Sequence, residues 1–353
     1  MDLTKIDMNN LIKCPEPITG ITKKWKVFLA GPIQGAPDWQ SKLPEIENVV
    51  YLSPRRESYP VPNFDYNEQV EWETQALRSA NIVLVWIPKE DESIAGRSYA
   101  QTTRFEVGEN MARGKNIILG IDESFPGRRY FEHKAQKYGV LGDKVFSTLE
   151  ECVEQLKKYV ETRIQNPRTY FTSDTHFSSE RALTLSMRPF KTIEEMDWTM
   201  IERWNKEVMP CDTVWHLGDF GDNWPLGYLS GNIKFLNGNY ERDGKSTIDE
   251  SLVNIVGDYA TIEIDDKLYY LIHEPEKCKR VISEYEYSRK FKVCKIDKVF
   301  GLYGHIHGRQ RIKPFGMDVG VDCSTFTPVS TNEVAFYRDA VEKGFYDENV
   351  WVQ

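Results

Sequence analysis

Asp174 and His176 stand one residue apart where the apolar run Tyr170-Phe171-Thr172 gives way to polar residues, so a strand end would present an acid and an imidazole together. That pair suits a divalent metal. Three later runs have the same form. Residues 214–217 lead into Gly218-Asp219, Phe235-Leu236-Asn237 into Gly238-Asn239, and 299–302 into Gly304-His305-Ile306-His307. His273 follows the apolar run 268–272, and four of the chain's six histidines fall in this pattern. A carboxylate between two cations can bridge them, an Asn carbonyl is a neutral oxygen donor, and imidazoles suit Mn, Fe, Zn or Ni. Two such ions roughly 3.5–4 Å apart would clamp a phosphoryl group and acidify a bound water. The strand ends are expected to converge on one edge of a sheet. The glycines before Asp219, Asn239 and His305 are expected to turn the backbone sharply there.

Asp174-x-His176, Gly218-Asp219, Gly238-Asn239, His273 and Gly304-His305-x-His307 resemble the calcineurin-like metallophosphoesterase superfamily over about residues 168–330. The resemblance implies a β-sandwich flanked by helices. It also implies two divalent metal ions: Asp174, His176 and His307 would hold one, Asn239, His273 and His305 the other, and Asp219 would bridge. The family commonly carries His-Asp after Gly-Asn, and this chain has Tyr240-Glu241. Tyr240 can donate a hydrogen bond in that place, as a weaker acid than imidazolium.

A length of 353 residues suggests two domains. A formal net charge of -9 disfavours a nucleic-acid-binding surface but is compatible with a small nucleotide handled through metals. Six cysteines without C-x-x-C spacing indicate neither a zinc site nor a disulfide framework, and fit a reducing cytoplasm. The longest apolar run, 82–87, is far too short for a membrane span. The start of the chain, with Asp2 and Asp7, does not read as a signal peptide.

Residues 1–24 read as an extended arm, 25–165 as one domain and 166–353 as a second. In the first, the runs 25–30, 82–87 and 116–120 read as strands, and 65–80 and 102–112 as helices. The face of the first helix is carried by Val70, Thr74, Leu77 and Ala80. Residues 127–146 read as loop with some short helix. Ser147-Thr148-Leu149-Glu150 fits a capping box opening a helix to about Arg163. Strands alternating with helices give an α/β fold, here a flavodoxin-like parallel sheet with flanking helices. In the second domain Thr192-x-x-Glu195 caps a helix to Val208, with Trp198, Ile201 and Trp204 in the core. His216 is expected to pack behind the metal site and His133 to be solvated.

Gly31-Pro32 follows the first strand, where an open sheet places its ligand crevice. Glu73 projects from one helix, and Glu106 lies near the start of another, where a carboxylate is stabilised as an anion. The stretches 27–32, 76–82 and Phe105-Glu106-Val107-Gly108 resemble the nucleoside 2-deoxyribosyltransferase family over about residues 25–160. The resemblance implies that Glu106 is the nucleophile on the anomeric carbon and that Glu73 takes the place of a base-binding Asp. It further implies a homo-oligomer. Relatives often carry an acid six residues before the nucleophile. This chain has Arg97-Ser98-Tyr99-Ala100-Gln101 there, and Arg97 or Arg104 could meet a phosphate. The two resemblances together imply a bifunctional enzyme acting on a nucleoside or nucleotide. The alternative is a phosphoesterase or cyclic-nucleotide phosphodiesterase regulated by a nucleotide-sensing first domain.

Overall fold

A computed structural model describes residues 10–57, 64–289 and 298–347. The start of the expected arm, residues 1–9, lies outside them, as does Cys294. The chain divides into two compact units, Met1–Asn166 and Pro167–Gln353. Both are mixed α/β structures.

The first unit contains β1 (Leu11–Lys13), β2 (Trp25–Ala30), β3 (Val49–Ser53), α1 (Tyr66–Ser79), β4 (Ile82–Ile87), α2 (Gln101–Ala112), β5 (Ile117–Ile121), α3 (Arg128–Tyr138) and α4 (Leu149–Gln165). Its sheet has the order β1-β3-β2-β4-β5, and every pairing is parallel. All six residues of β2 and of β4 are buried, as strands covered on both faces must be. Each such aliphatic side chain contributes about 2 kcal/mol. Past β5 the sheet ends in one parallel bridge, Gly120 to Phe146.

Four expectations are corrected here. Part of the arm is a strand, β1, which extends the sheet beside β3. The buried face of α1 is Gln69, Trp72, Ala76 and Ser79, leaving Val70 exposed, because Trp72 is the largest apolar group and its indole N–H donates to Glu16 O at 2.7 Å. The segment expected to be mostly loop contains the eleven-residue helix α3. The capping box at α4 is Thr148 with Glu151, one residue later than expected.

The second unit contains β6 (Thr169–Thr172), α5 (Glu180–Leu185), α6 (Ile193–Glu207), β7 (Thr213–His216), β8 (Asn232–Leu236), α7 (Asn239–Arg242), β9 (Asn254–Gly257), β10 (Tyr259–Ile264), β11 (Lys267–Ile272), α8 (Pro275–Arg289), β12 (Phe300–Tyr303), β13 (Ile312–Lys313), β14 (Gly316–Asp318), β15 (Val329–Ser330) and α9 (Thr331–Glu342). Two five-stranded sheets form, β15-β6-β7-β8-β9 and β10-β11-β12-β14-β13. The strand period of two sorts their side chains into layers. Phe171, Trp215 and Leu236 of one sheet pack with Leu271, Leu302 and Met317 of the other. On the outer faces, Tyr170, Val214 and Phe235 meet Trp198, Ile201 and Trp204 of α6, and Tyr270 and Ile272 meet Cys278 and Ile282 of α8. No disulfide joins the described cysteines. No described helix is long and apolar enough to cross a membrane.

Candidate metal centre

The seven side chains singled out in the second unit follow the C-terminal ends of five strands. Asp174 and His176 follow β6, Asp219 follows β7 and Asn239 opens α7 after β8. His273 follows β11, and His305 and His307 follow β12. The ends belong to both sheets rather than to one edge of a single sheet, because β6, β7 and β8 are parallel neighbours in one and β11 and β12 in the other.

Asp174, His176 and His307 form one group, and Asp219, His273 and His305 a second; within each, the donor atoms lie within 4.8 Å of one another. Asp219 Oδ2 is 3.4 Å from His273 Nε2 and 3.7 Å from His176 Nε2, so one carboxylate oxygen faces both groups. Asn239 Oδ1 is 3.0 Å from His273 Nε2 and from His305 Nδ1. Asp174 Oδ1 is 3.9 Å from His176 Nε2 and 4.0 Å from His307 Nε2.

The donor set fits cations. Asp174 is fully buried, and its Oδ1 has no hydrogen-bond partner although two imidazole nitrogens face it. A buried anionic oxygen left this way is strongly destabilising unless a positive charge meets it. With His273 Nδ1 2.8 Å from Leu217 O, one ring N–H is assigned there, which leaves Nε2 facing two oxygens. Burial opposes charge on His273, but Asp174 and Asp219 outweigh it and raise its pKa to about 9, so these protein groups favour a cation at that point. Burial holds His176 near 4, neutral and available as a ligand. Burial also acts to raise Asp219; the His273 hydrogen bond and charge, the Tyr240 N–H and His176 outweigh it and bring it to about 2.

Asp174, His176, Asp219, His305 and His307 all have positive φ, between 47° and 74°. Left-handed backbone at non-glycine residues costs roughly 1–2 kcal/mol each, and such strain gathers at functional sites. Of the three glycines expected to turn the chain, Gly218 has positive φ. Gly238 and Gly304 serve by close approach instead: a Cβ would lie 2.2 Å from Asp219 Oδ1 and 2.2 Å from Asp174 Oδ2, respectively.

Residues that sequence reasoning passed over hold these loops. Asp322 Oδ2 is 2.9 Å from His307 Nδ1, and the buried Arg188 guanidinium donates to both Asp322 oxygens and to the carbonyls of Asp174 and Thr175. Neither residue lies in a motif. Glu241 accepts from the N–H groups of Gly238, Asp219 and Phe220, tying the β7 and β8 loops together. Tyr240 sets its ring edge-on to His176, centroids 4.8 Å apart, with Lys245 Nζ 5.4 Å from its own centroid. His216 joins neither group. It is buried, stacked on Phe235 and bonded to Thr175 Oγ1 at 3.1 Å. His133 is exposed.

In the first unit Pro32 and Arg97 line one pocket, together with Glu90, Glu92 and Tyr99. The pocket therefore has carboxylates, although the loop 97–101 has none. Glu73, Glu106 and Arg104 are not among its lining residues. Arg104 stacks over Phe125 at 5.0 Å. Gly31 is fixed by packing, since a Cβ would lie 2.3 Å from Trp86 O. Glu106 is the sixth residue of α2, beyond reach of the helix terminus, and its carboxyl is not held as a stabilised anion. Burial, reinforced by Glu73 and Glu109, pushes its pKa up to about 7. Glu73 is also raised by burial, and Gln69 Nε2 donates to it at 2.8 Å.

Residues 24–125 match a family model described as nucleoside 2-deoxyribosyltransferase like. An uncharacterized protein of Methanocaldococcus jannaschii is 28% identical over 192 residues, 50% of this chain and 93% of the relative. A solved protein of unknown function from Aquifex aeolicus matches 48% of this chain and 99% of its own, with 23% identity and a TM-score of 0.38. A conserved uncharacterized protein from Streptococcus pneumoniae, described as a predicted phosphoesterase, matches 44% of this chain and 71% of its own, with 13% identity and a TM-score of 0.23.

Proposed function

We propose that the second unit hydrolyses phosphate monoesters of small molecules on a pair of divalent cations. The observation that carries this reading is the placement of Asp219 Oδ2 within 3.7 Å of an imidazole of each group. Asp174, His176 and His307 would hold one cation, Asn239, His273 and His305 the other, with Asp219 between. When bound, such a pair supplies Lewis acidity and a water of lowered pKa. Arg188 and Asp322 fix the orientation of His307, and Glu241 fixes Asp219. Tyr240, whose ring lies edge-on to that of His176, would donate a hydrogen bond from its hydroxyl to the phosphoryl group or to the departing oxygen.

For the first unit we propose cleavage or exchange of an N-glycosidic bond. The family match over 24–125 and the elevated Glu106 carboxyl support it. Glu106 as carboxylate attacks the anomeric carbon, and the carbon–nitrogen bond breaks with its electron pair leaving on the base, which takes a proton from water. Water or a second base then displaces the Glu106 ester with net retention. A second reading has this unit bind a nucleotide without turnover; the pocket that Pro32 and Arg97 line supports it.

A nucleotide panel followed by chromatography tests both units of the full chain, because free phosphate and free base report them separately. Phosphate release that persists in excess chelator, or that is unchanged in Asp219→Asn, would remove the first proposal. Base release equal in wild type and Glu106→Gln would remove the second.

A further inference from the structure

Gln69 and Glu73 stand one turn apart on the same side of α1. Gln69 Nε2 donates to Glu73 Oε1 at 2.8 Å and to Pro54 O, just past β3, at 2.8 Å. Gln69 Oε1 accepts from Arg56 Nε at 2.8 Å and from the thiol of Cys14, the residue after β1, at 3.2 Å. A guanidinium can only donate and a carbonyl can only accept, so the amide has one possible orientation, and its second N–H is directed to Glu73. Burial pushes the Cys14 thiol up to about 11, which keeps it protonated as the donor this arrangement needs. Gln69 is buried, and both its N–H groups and both lone pairs of its oxygen are used.

Glu73 is only half-buried, and no described residue donates to its Oε2. It lies close enough to Glu106 to help hold that carboxyl up, so both acids face one site. A tie between α1 and the chain after β3 would need only Arg56 and Pro54. The remaining N–H of Gln69 goes instead to an acid beside the proposed nucleophile.

We propose that Gln69 is a positioning residue for Glu73: its amide claims Oε1, so that Oε2 is the oxygen presented to the base of a nucleoside or nucleotide. The contact with the base rests on the N-glycosidic reading of this unit; the placement of Glu73 does not.

The test gives the full-length protein the common ribonucleosides and deoxyribonucleosides and their 5′-monophosphates, with base release followed by chromatography. Gln69→Met keeps the length of the side chain and gives up its N–H groups. On the substrate turned over fastest it is expected to lose about tenfold in kcat/KM, the worth of a hydrogen bond to a charged group, with the loss in KM. In a Glu73→Ala background the same substitution should cost nothing further, because Gln69 acts through Glu73. A loss of equal size in both backgrounds makes Gln69 a structural tie and overturns the assignment, as does no loss in either. If the wild type releases no base, the N-glycosidic reading fails. In that case, or where Glu73→Ala is too slow to compare, carbon-13 titration of the glutamate carboxyls judges the placement, with the Glu73 signal identified by its absence in Glu73→Ala. Gln69→Met should move that titration to higher pH, since the donated N–H favours the carboxylate. An unmoved titration overturns the placement. If Gln69→Met does not fold, Gln69→Glu takes its place with the same expected directions, because it keeps the acceptor for Arg56 and Cys14 and gives up the donor.

Discussion

Asp322 Oδ2 sits 2.9 Å from His307 Nδ1, which leaves His307 Nε2 turned toward Asp174. A carboxylate behind a ligating imidazole fixes the ring and raises its basicity, and its loss typically weakens metal binding 10- to 100-fold. Asp322→Ala is expected to weaken one of two metal equivalents by about that factor, and Asp322→Asn by less, since its amide oxygen can still accept from Nδ1. Competition with a chromophoric chelator reads the two equivalents. Unchanged affinities in both variants would show that Asp322 plays no part in ligation.

Glu241 is a stability element. It satisfies three backbone N–H groups, and Glu241→Ala leaves all three without that acceptor. At about 1 kcal/mol per hydrogen bond, the loss is on the order of 3 kcal/mol. Urea denaturation monitored by tryptophan fluorescence should show the midpoint falling without a change in slope.

Tyr240 is expected to limit the rate of phosphate release. Removing its hydroxyl in Tyr240→Phe should lower kcat about tenfold with metal content unchanged. Tyr240→His should raise kcat by about 10- to 100-fold at neutral pH, because imidazolium is the stronger general acid. Equal kcat in all three proteins would place the leaving-group proton elsewhere.

Glu106 gives a pH dependence of definite sign. Its carboxyl is raised from 4.5 to about 7 in the folded protein, so the nucleophilic anion is scarce below 7. Base release should rise with pH and level off above about 7. The same proton, bound by the native state and not by the unfolded chain between those values, makes folding stability fall across that window and flatten above it. Glu106→Gln should abolish base release and remove this component of the stability profile. A wild-type rate profile flat from pH 5 to 8 would contradict the assignment.

The clustering of the candidate metal-binding residues was legible because their chemistry sits in their types and in the strand-to-loop pattern, and β2 and β4 because uniformly apolar runs fit few other structures. β1 was not: three residues among polar neighbours carry no periodicity, and the strand exists through its pairing with β3. Helix α3 was hidden by its polarity, since Phe131 and Ala135 are its only buried residues. Arg188 and Asp322 were invisible because their significance lies in a contact across 134 positions. Glu106 could be placed on a helix from sequence, but its protonation is set by burial and by neighbours that the helix alone does not reveal.

The two candidate metal-binding groups, with Asn239, draw on three strand ends of one sheet and two of the other. Ions seated there would act as a clasp across the two leaves of the sandwich, so the leaves could not part without releasing their cargo. Unfolding of this unit and escape of its metals should therefore share one kinetic barrier.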